Sequence, residues 1–357
     1  MNSPYSDLPS RSFWRSAVTD RAPTDPGDLY EPKFKINNRA KIVTAGSCFA
    51  QHVGRTLAMA GFNVMDAEPP PKGFSDTAAQ SFGYKLYSAR YSNIYTVRQL
   101  LQILDEAEGK FQPAIPVWEK GGRYFDAMRP SVEPEGLESA ELVMEHRKLH
   151  LEKVLNVFNA AEVFVFTFGL TEAWIHKETG TVYPTAPGTI AGNFDSTIFS
   201  FKNYRFAEIL GDFQNFRARM VNINPNMRFV ITTSPVPLTA TASGQHVEVA
   251  SCYSKSVLRA VCGTLTESFK NVDYFPSYEI ITSINNRGIY FENNKRSVSS
   301  AGVDTAMALF MKKHGAPAPL ADAGSQGKAV NKSREVEETG RSPDAICEEA
   351  LLDAFRK

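Results

Sequence analysis

Cysteine is scarce in this 357-residue chain, with four residues at positions 48, 252, 262 and 347. None stands in a C-x-x-C pair, and no H-E-x-x-H occurs among the six histidines. Neither a structural zinc site nor a disulfide framework is therefore expected, and no metal or other cofactor is called for. Net charge is also lacking. Lys+Arg and Asp+Glu balance at 39 each, which gives no general pull toward nucleic acid or an anionic membrane. No apolar run approaches a membrane span, and the polar, proline-punctuated start carries no apolar signal-peptide core. A P-loop and a G-x-G-x-x-G are missing too. The expectation is a cytoplasmic, metal-free protein with no nucleic-acid partner and no membrane insertion, its oligomeric state left open.

What is present is a globular composition, 43% hydrophobic and 22% charged, with a repeated rhythm of apolar runs and amphipathic segments. Residues 1–38 read as an arm lying on the domain, with Phe13, Trp14 and Phe34 as anchors. Ile42–Ala45 reads as a first buried strand, and Cys48–Ala60 as a helix closed by Gly61. Thr96 is placed to cap a helix with Leu100, Leu101 and Leu104 on one face. Residues 109–138 read as an irregular insertion.

A long amphipathic segment, "ESAELVMEHRKLHLEKVLNVFNAA", leads into the apolar run "EVFVFTFG". Helices around 203–222 and 248–269 lead into "MRFVITTSP" and "VDYFP", and a last helix is expected near Ser300–Lys313. Continuous apolar runs alternating with helices predict an α/β fold, a three-layer sandwich around a central parallel sheet. The domain is bounded at 39–314, followed by a flexible linker over 315–342 and a short C-terminal helix over 343–357 that docks back or binds a partner.

In such sheets ligands bind at the carboxyl ends of the strands. That rule selects Gly46–Cys48, Gly169–Glu172, Ser234–Thr241 and Pro276–Glu279. The first of these sets two small nucleophiles, Ser47 and Cys48, side by side where a strand turns into a helix. A thiol at a helix N-terminus is expected to have a lowered pKa, and a thiolate is already competent for acyl transfer. Taken alone, Cys48 reads more plainly as a small buried hydrophobe between helix and strand.

The blocks "GSCFA" (46–50), "FTFGLTEAW" (166–174), "SPVPLTAT" (234–241), "YSKSVLRAV" (253–261) and "DYFPSYEI" (273–280) resemble the GSCFA family over roughly residues 35–315. That family is similar to a branch of the SGNH (GDSL-type) hydrolase superfamily, with a flavodoxin-like sheet. The resemblance implies a nucleophile at Cys48, with Ser47 as the second choice, on a turn that begins at Gly46. It implies an oxyanion site from Gly169 and Thr171, with Asn93 supplying a further donor and Glu172 orienting a base or binding substrate.

The superfamily's D-x-x-H histidine has no counterpart in "FENNKRSVSSAGVD", where Arg296 or Ser297 stands instead. His246, in the loop after "SPVPLTATASGQ", is the substitute base, and His52 shares a helix face with Cys48 at i+4. Glu279 reads as a supporting residue, and His146, His150, His176 and His314 as surface residues. The function implied is an acyl-ester hydrolase or O-acyltransferase acting on acylated carbohydrate or a small ester. The alternative is an inactive binding module for an anionic or glycan ligand, with Arg296 as its anion contact.

Overall fold

The structure is a computed structural model that describes residues 3–315 and 347–356. In chain order its elements are β1 (Ile42–Gly46), α1 (Phe49–Met59), α2 (Asp76–Ser81), α3 (Val97–Ala107), β2 (Val117–Lys120), β3 (Arg123–Asp126) and α4 (Ala140–Ala160). There follow β4 (Val163–Phe168), β5 (Glu172–His176), β6 (Val182–Tyr183), β7 (Phe199–Asn203), α5 (Phe206–Ile223) and β8 (Arg228–Thr233). The last elements are α6 (Val247–Ser268), β9 (Val272–Tyr274), α7 (Ser277–Thr282) and α8 (Ser300–His314), and 3₁₀ turns over Glu348–Phe355.

The expected parallel sheet is present, in the order β1-β4-β8-β9. Beyond β1, a strand shrunk to one parallel bridge, Ile42 with Val64, completes the doubly wound order. Because side chains alternate across a strand, each apolar run feeds two layers. Val43, Phe164, Phe166, Phe229 and Ile231 enter the core under α3, α4, α5 and α6. Ile42, Val163, Val165 and Val230 face the other way, against α1, α7 and α8. Each fully buried aromatic of this kind contributes about 1.5–3 kcal/mol relative to exposure, so the sheet is held from both faces.

Several local expectations are met in detail. Thr96 caps α3 by accepting the Gln99 N–H at 3.2 Å, and Gly61 follows α1 with φ +80°. Other expectations are corrected. The insertion at 109–138 is not irregular: it carries the β2–β3 hairpin, turned by Gly121 and Gly122, both at positive φ. A second small sheet, β6-β5-β7, follows β4. In the arm, Phe13 and Trp14 are exposed, and Tyr30 and Ile36 are the buried anchors. Tyr30 donates to Asp273 at 2.8 Å and meets His314 Nε2 at 3.0 Å. His314 and His150 are therefore buried, not surface residues.

A buried ionic network fastens the hairpin to the sheet's helical layer. Arg147 on α4 bridges Glu106 of α3 and Asp126 of β3. Nearby, His150 Nδ1 lies 2.7 Å from Glu68, whose other bond comes from the Arg90 N–H at 2.7 Å. Arg90 in turn reaches Glu133 at 2.8 Å. Of the expected linker and terminal helix, residues 316–346 lie outside the described residues. Among the described residues no helix is long and apolar enough to cross a membrane.

Candidate functional site

Gly46 ends β1 with φ +136°, a backbone that L side chains rarely adopt. A Cβ there would stand 2.6 Å from the Thr167 carbonyl oxygen and 2.7 Å from its nitrogen. Only glycine lets β1 turn this close to β4. The turn delivers Ser47, whose N–H donates to Thr167 O at 3.3 Å, and then Cys48 at the entrance of α1. Both side chains are buried.

The loop 92–95 is threaded between the ends of the two central strands. The Ile94 N–H donates to Gly46 O at 2.9 Å, and the Leu170 N–H donates to Tyr95 O at 2.9 Å. In the doubly wound order this gap is the point where the chain's winding reverses, the place such sheets offer a ligand. From above, α6 pins the turn after β4: Ser254 Oγ accepts the Thr171 N–H at 3.2 Å, and Lys255 Nζ donates to Gly169 O at 2.7 Å. Gly169 is required here too, since a Cβ would lie 2.7 Å from the Cβ of Ser47.

The cleft so formed is occupied by the chain's own C-terminus. Cys347 sits within hydrogen-bonding reach of Cys48, 3.6 Å from the Tyr95 hydroxyl and 3.8 Å from Arg296 Nη2. Glu348 is held by Ser92, Asn93, Tyr95 and Ser131. Glu349 pairs with Arg296 at 3.0 Å. With the cleft filled, open concavities lie elsewhere, one of them beside the β2–β3 hairpin and α4, lined by Tyr124, Arg129 and His146.

Burial and these neighbours set the site's electrostatics. The Cys48 thiol donates to Cys347 and is fully buried, and both effects push its pKa up. This corrects the expectation of a lowered pKa: the helix end is in place, but with the C-terminus docked the anionic sulfur of the pair is Cys347. The bond from Cys48 brings Cys347 down to about 6 against the effect of burial, with help from Arg296. Burial pulls Lys255 down to about 8, opposed by the nearby charge of Glu349. Burial raises Glu349 to about 7, with Cys347 adding to the rise.

The expected site residues therefore divide. Gly46, Ser47, Cys48, Asn93, Gly169 and Arg296 converge on this cleft, and Thr171 lies in the turn after β4, with its N–H on Ser254 and its carbonyl accepting from the Tyr204 N–H. Thr171 Oγ1 and Ser47 Oγ are buried with no hydrogen-bond partner among the described residues, so each has a donor to give. Glu172 starts β5 and accepts from Thr241 Oγ1 at 2.7 Å, its pKa raised by burial.

His246 is exposed and caps α6 by accepting the Glu248 N–H at 3.2 Å. That contact occupies a ring nitrogen and places it outside the contacts around Cys48. His52 is half-buried with its ring centroid 5.9 Å from that of Phe49. Glu279 accepts from Arg259 and from Tyr274 at 2.8 Å, tying α7 to α6 and β9.

Sequence reasoning missed Lys255, although a signal existed. It falls on the helix face defined by Ser251, Ser254, Leu258 and Cys262, all buried in α6, and a lysine on such a face is out of place. Cys347, Glu348 and Ser131 were also missed, and they come to Cys48 from elements far away in the chain. Among the described residues no group of three or more His, Cys, Asp or Glu is placed to hold a metal ion.

Searches of the curated proteins and of the solved structures found no match to this chain. The family model of the GSCFA family matches residues 41–310, from the first residue before β1 into α8 and so across every strand of the central sheet. With its signature turn at the sheet's reversal point and most of its length matched, the chain belongs to the GSCFA family.

Proposed function

We propose that the protein is an acyl-ester hydrolase or O-acyltransferase that forms a covalent acyl-enzyme at Cys48. The observation that carries this reading is a buried thiol at the entrance of α1 within electrostatic reach of a buried lysine whose pKa is drawn to about 8. Burial disfavours its ammonium form, and a lysine with a lowered pKa can act as the base that the missing histidine would supply.

In the proposed reaction the C-terminus leaves the cleft and Lys255 takes the Cys48 proton. The sulfur attacks the ester carbonyl carbon, a C–S bond forms, and the carbonyl π electrons move to oxygen. Donors to that oxygen come from the Thr171 hydroxyl and the backbone N–H groups of Cys48 and Gly169. Collapse breaks the C–O bond, and the leaving alcohol takes the proton from Lys255. Water or a sugar hydroxyl then attacks the thioester, gives its proton to Lys255, and releases the thiol as Lys255 returns that proton. An acylated carbohydrate or a small ester fits this chemistry, as does descent from an SGNH-like ancestor.

The test is p-nitrophenyl acetate turnover, with intact-mass detection of acetylated protein, in wild type, Cys48→Ala, Ser47→Ala and Lys255→Met. Release and adduct lost in Cys48→Ala, retained in Ser47→Ala and reduced at least a hundredfold in Lys255→Met support the assignment. Loss confined to Ser47→Ala moves the nucleophile to Ser47. A second reading, an inactive module that binds an anionic or glycan ligand, is favoured by the Arg296–Glu349 pair inside the cleft. Absence of any adduct with oxygen and thioester donors alike would leave that reading in place.

A further inference from the structure

Glu348 enters the cleft as an acid, not as an apolar anchor, and its surroundings are suited to that. Each of its oxygens meets two neutral donors. Oε1 accepts from Ser92 Oγ and from Ser131 Oγ, the latter at 2.5 Å. Oε2 accepts from Asn93 Nδ2 and from the Tyr95 hydroxyl, the latter at 2.8 Å. Ser92, Asn93 and Tyr95 are all nearly inaccessible.

The cradle is fixed from behind. Asn93 Oδ1 accepts from Gln51 Nε2 at 3.2 Å and from Tyr87, which leaves Nδ2 as the end that faces the ligand. Ser92 is held at φ +59°, a costly backbone for serine that aims its hydroxyl inward. Ser92 Oγ and Ser131 Oγ also lie 2.7 Å apart, so the serine pair shares one proton and offers the other; buried donors without an acceptor are unfavourable, and a carboxylate satisfies those of Asn93, Tyr95 and the serine pair at once. Such a set selects an anion with planar, paired oxygens over a neutral ester or amide.

We propose that Ser92, Asn93, Tyr95 and Ser131 form a carboxylate-recognition subsite beside Cys48, that the ligand of this cleft carries a carboxylate, and that Glu348 occupies the subsite as an intramolecular competitor. This rests on the reading of the cleft as the functional site, but it does not require covalent turnover. The ligand class is a short-chain acid whose second carbonyl lies at Cys48, such as a dicarboxylic monoester.

The experiment measures carbamidomethylation of Cys48 by iodoacetamide, mapped by peptide mass spectrometry in the full chain, with the core thiol Cys262 as the report on folding. Glu348→Gln keeps the shape but turns one acceptor into a donor facing donors. It is expected to speed Cys48 labelling at least tenfold while Cys262 stays protected. Glutarate should then slow Cys48 labelling saturably in that variant, whereas dimethyl glutarate and inorganic phosphate should not. Asn93→Leu added to Glu348→Gln should abolish the protection by glutarate.

The proposal is overturned if Glu348→Gln leaves Cys48 as shielded as in wild type, or if glutarate gives no protection once it is exposed. Equal protection by phosphate or by the dimethyl ester overturns it as well. None of these readouts depends on an acyl-enzyme, so the subsite and the catalytic reading fail separately.

Discussion

Replacing Lys255 by methionine should remove a pH dependence of stability that the wild type carries above neutrality. Lys255 is 3% exposed, and burial moves its pKa from 10.5 to about 8, against the opposing charge of Glu349. A folded pKa below the unfolded one means that the ammonium is disfavoured in the fold. Its cost is therefore full below about pH 8 and fades as pH rises toward 10.5, so wild-type stability should rise across that window. At about 1.4 kcal/mol per pK unit the rise is about 3 kcal/mol. Methionine keeps the stem and drops the charge, but it leaves the Gly169 carbonyl without its 2.7 Å partner, a loss of about 1–3 kcal/mol. The two changes nearly cancel near neutrality, so a single stability value decides little. The difference between the two proteins across pH decides it. Urea unfolding followed by tryptophan fluorescence at about pH 7.5 and pH 10 should show wild type gaining about 2.4 kcal/mol on the variant. Curves that run parallel would refute a buried, proton-poised lysine, and with it the base assigned to Cys48.

Gly46→Ala should destabilise the protein by about 3 kcal/mol or more, from positive-φ strain and a Cβ driven into the Thr167 backbone; a loss under about 1 kcal/mol in urea unfolding contradicts the turn geometry. Burial, with Arg129 adding to it, brings His150 from 6.5 down to about 4, so the stability it confers is complete above 6.5 and is lost as pH falls toward 4. Wild type should lose about 3 kcal/mol over that window relative to His150→Gln. Glu68, buried but held down to about 2 by His150 and Arg129, gives up its share only below its unfolded value of 4.5. Diamide, reduced to the hydrazine as it takes two electrons from a thiol pair, should link Cys48 to Cys347 and leave Cys262 free. Non-reducing peptide maps read the result, and a link that formed only to Cys252 would show the C-terminus docked elsewhere.

The central sheet was legible because its signal is local. Phe164, Phe166, Phe229 and Ile231 lie in continuous apolar runs, and such runs between helices have few other arrangements. The hairpin at Val117–Asp126 has a local signal as well: "VWEKGGRYFD" has β-formers on both sides of a Gly-Gly pair. That the C-terminal segment docks back was one of two expectations, but where Cys347 and Glu348 dock was not legible, because "CEEALL" has no local feature that names its partners in the loop at 92–95. The base is a different failure. A search for histidine assumes that residue type sets the pKa, since imidazole titrates near neutrality without help. Lys255 reaches about 8 through burial on a helix face, and burial belongs to the fold. Arg296, standing where the histidine was sought, stays cationic beside Cys347 and Glu349. Under the proposed reaction the cleft separates two tasks that one histidine would have combined, a fixed charge from Arg296 and a movable proton on Lys255.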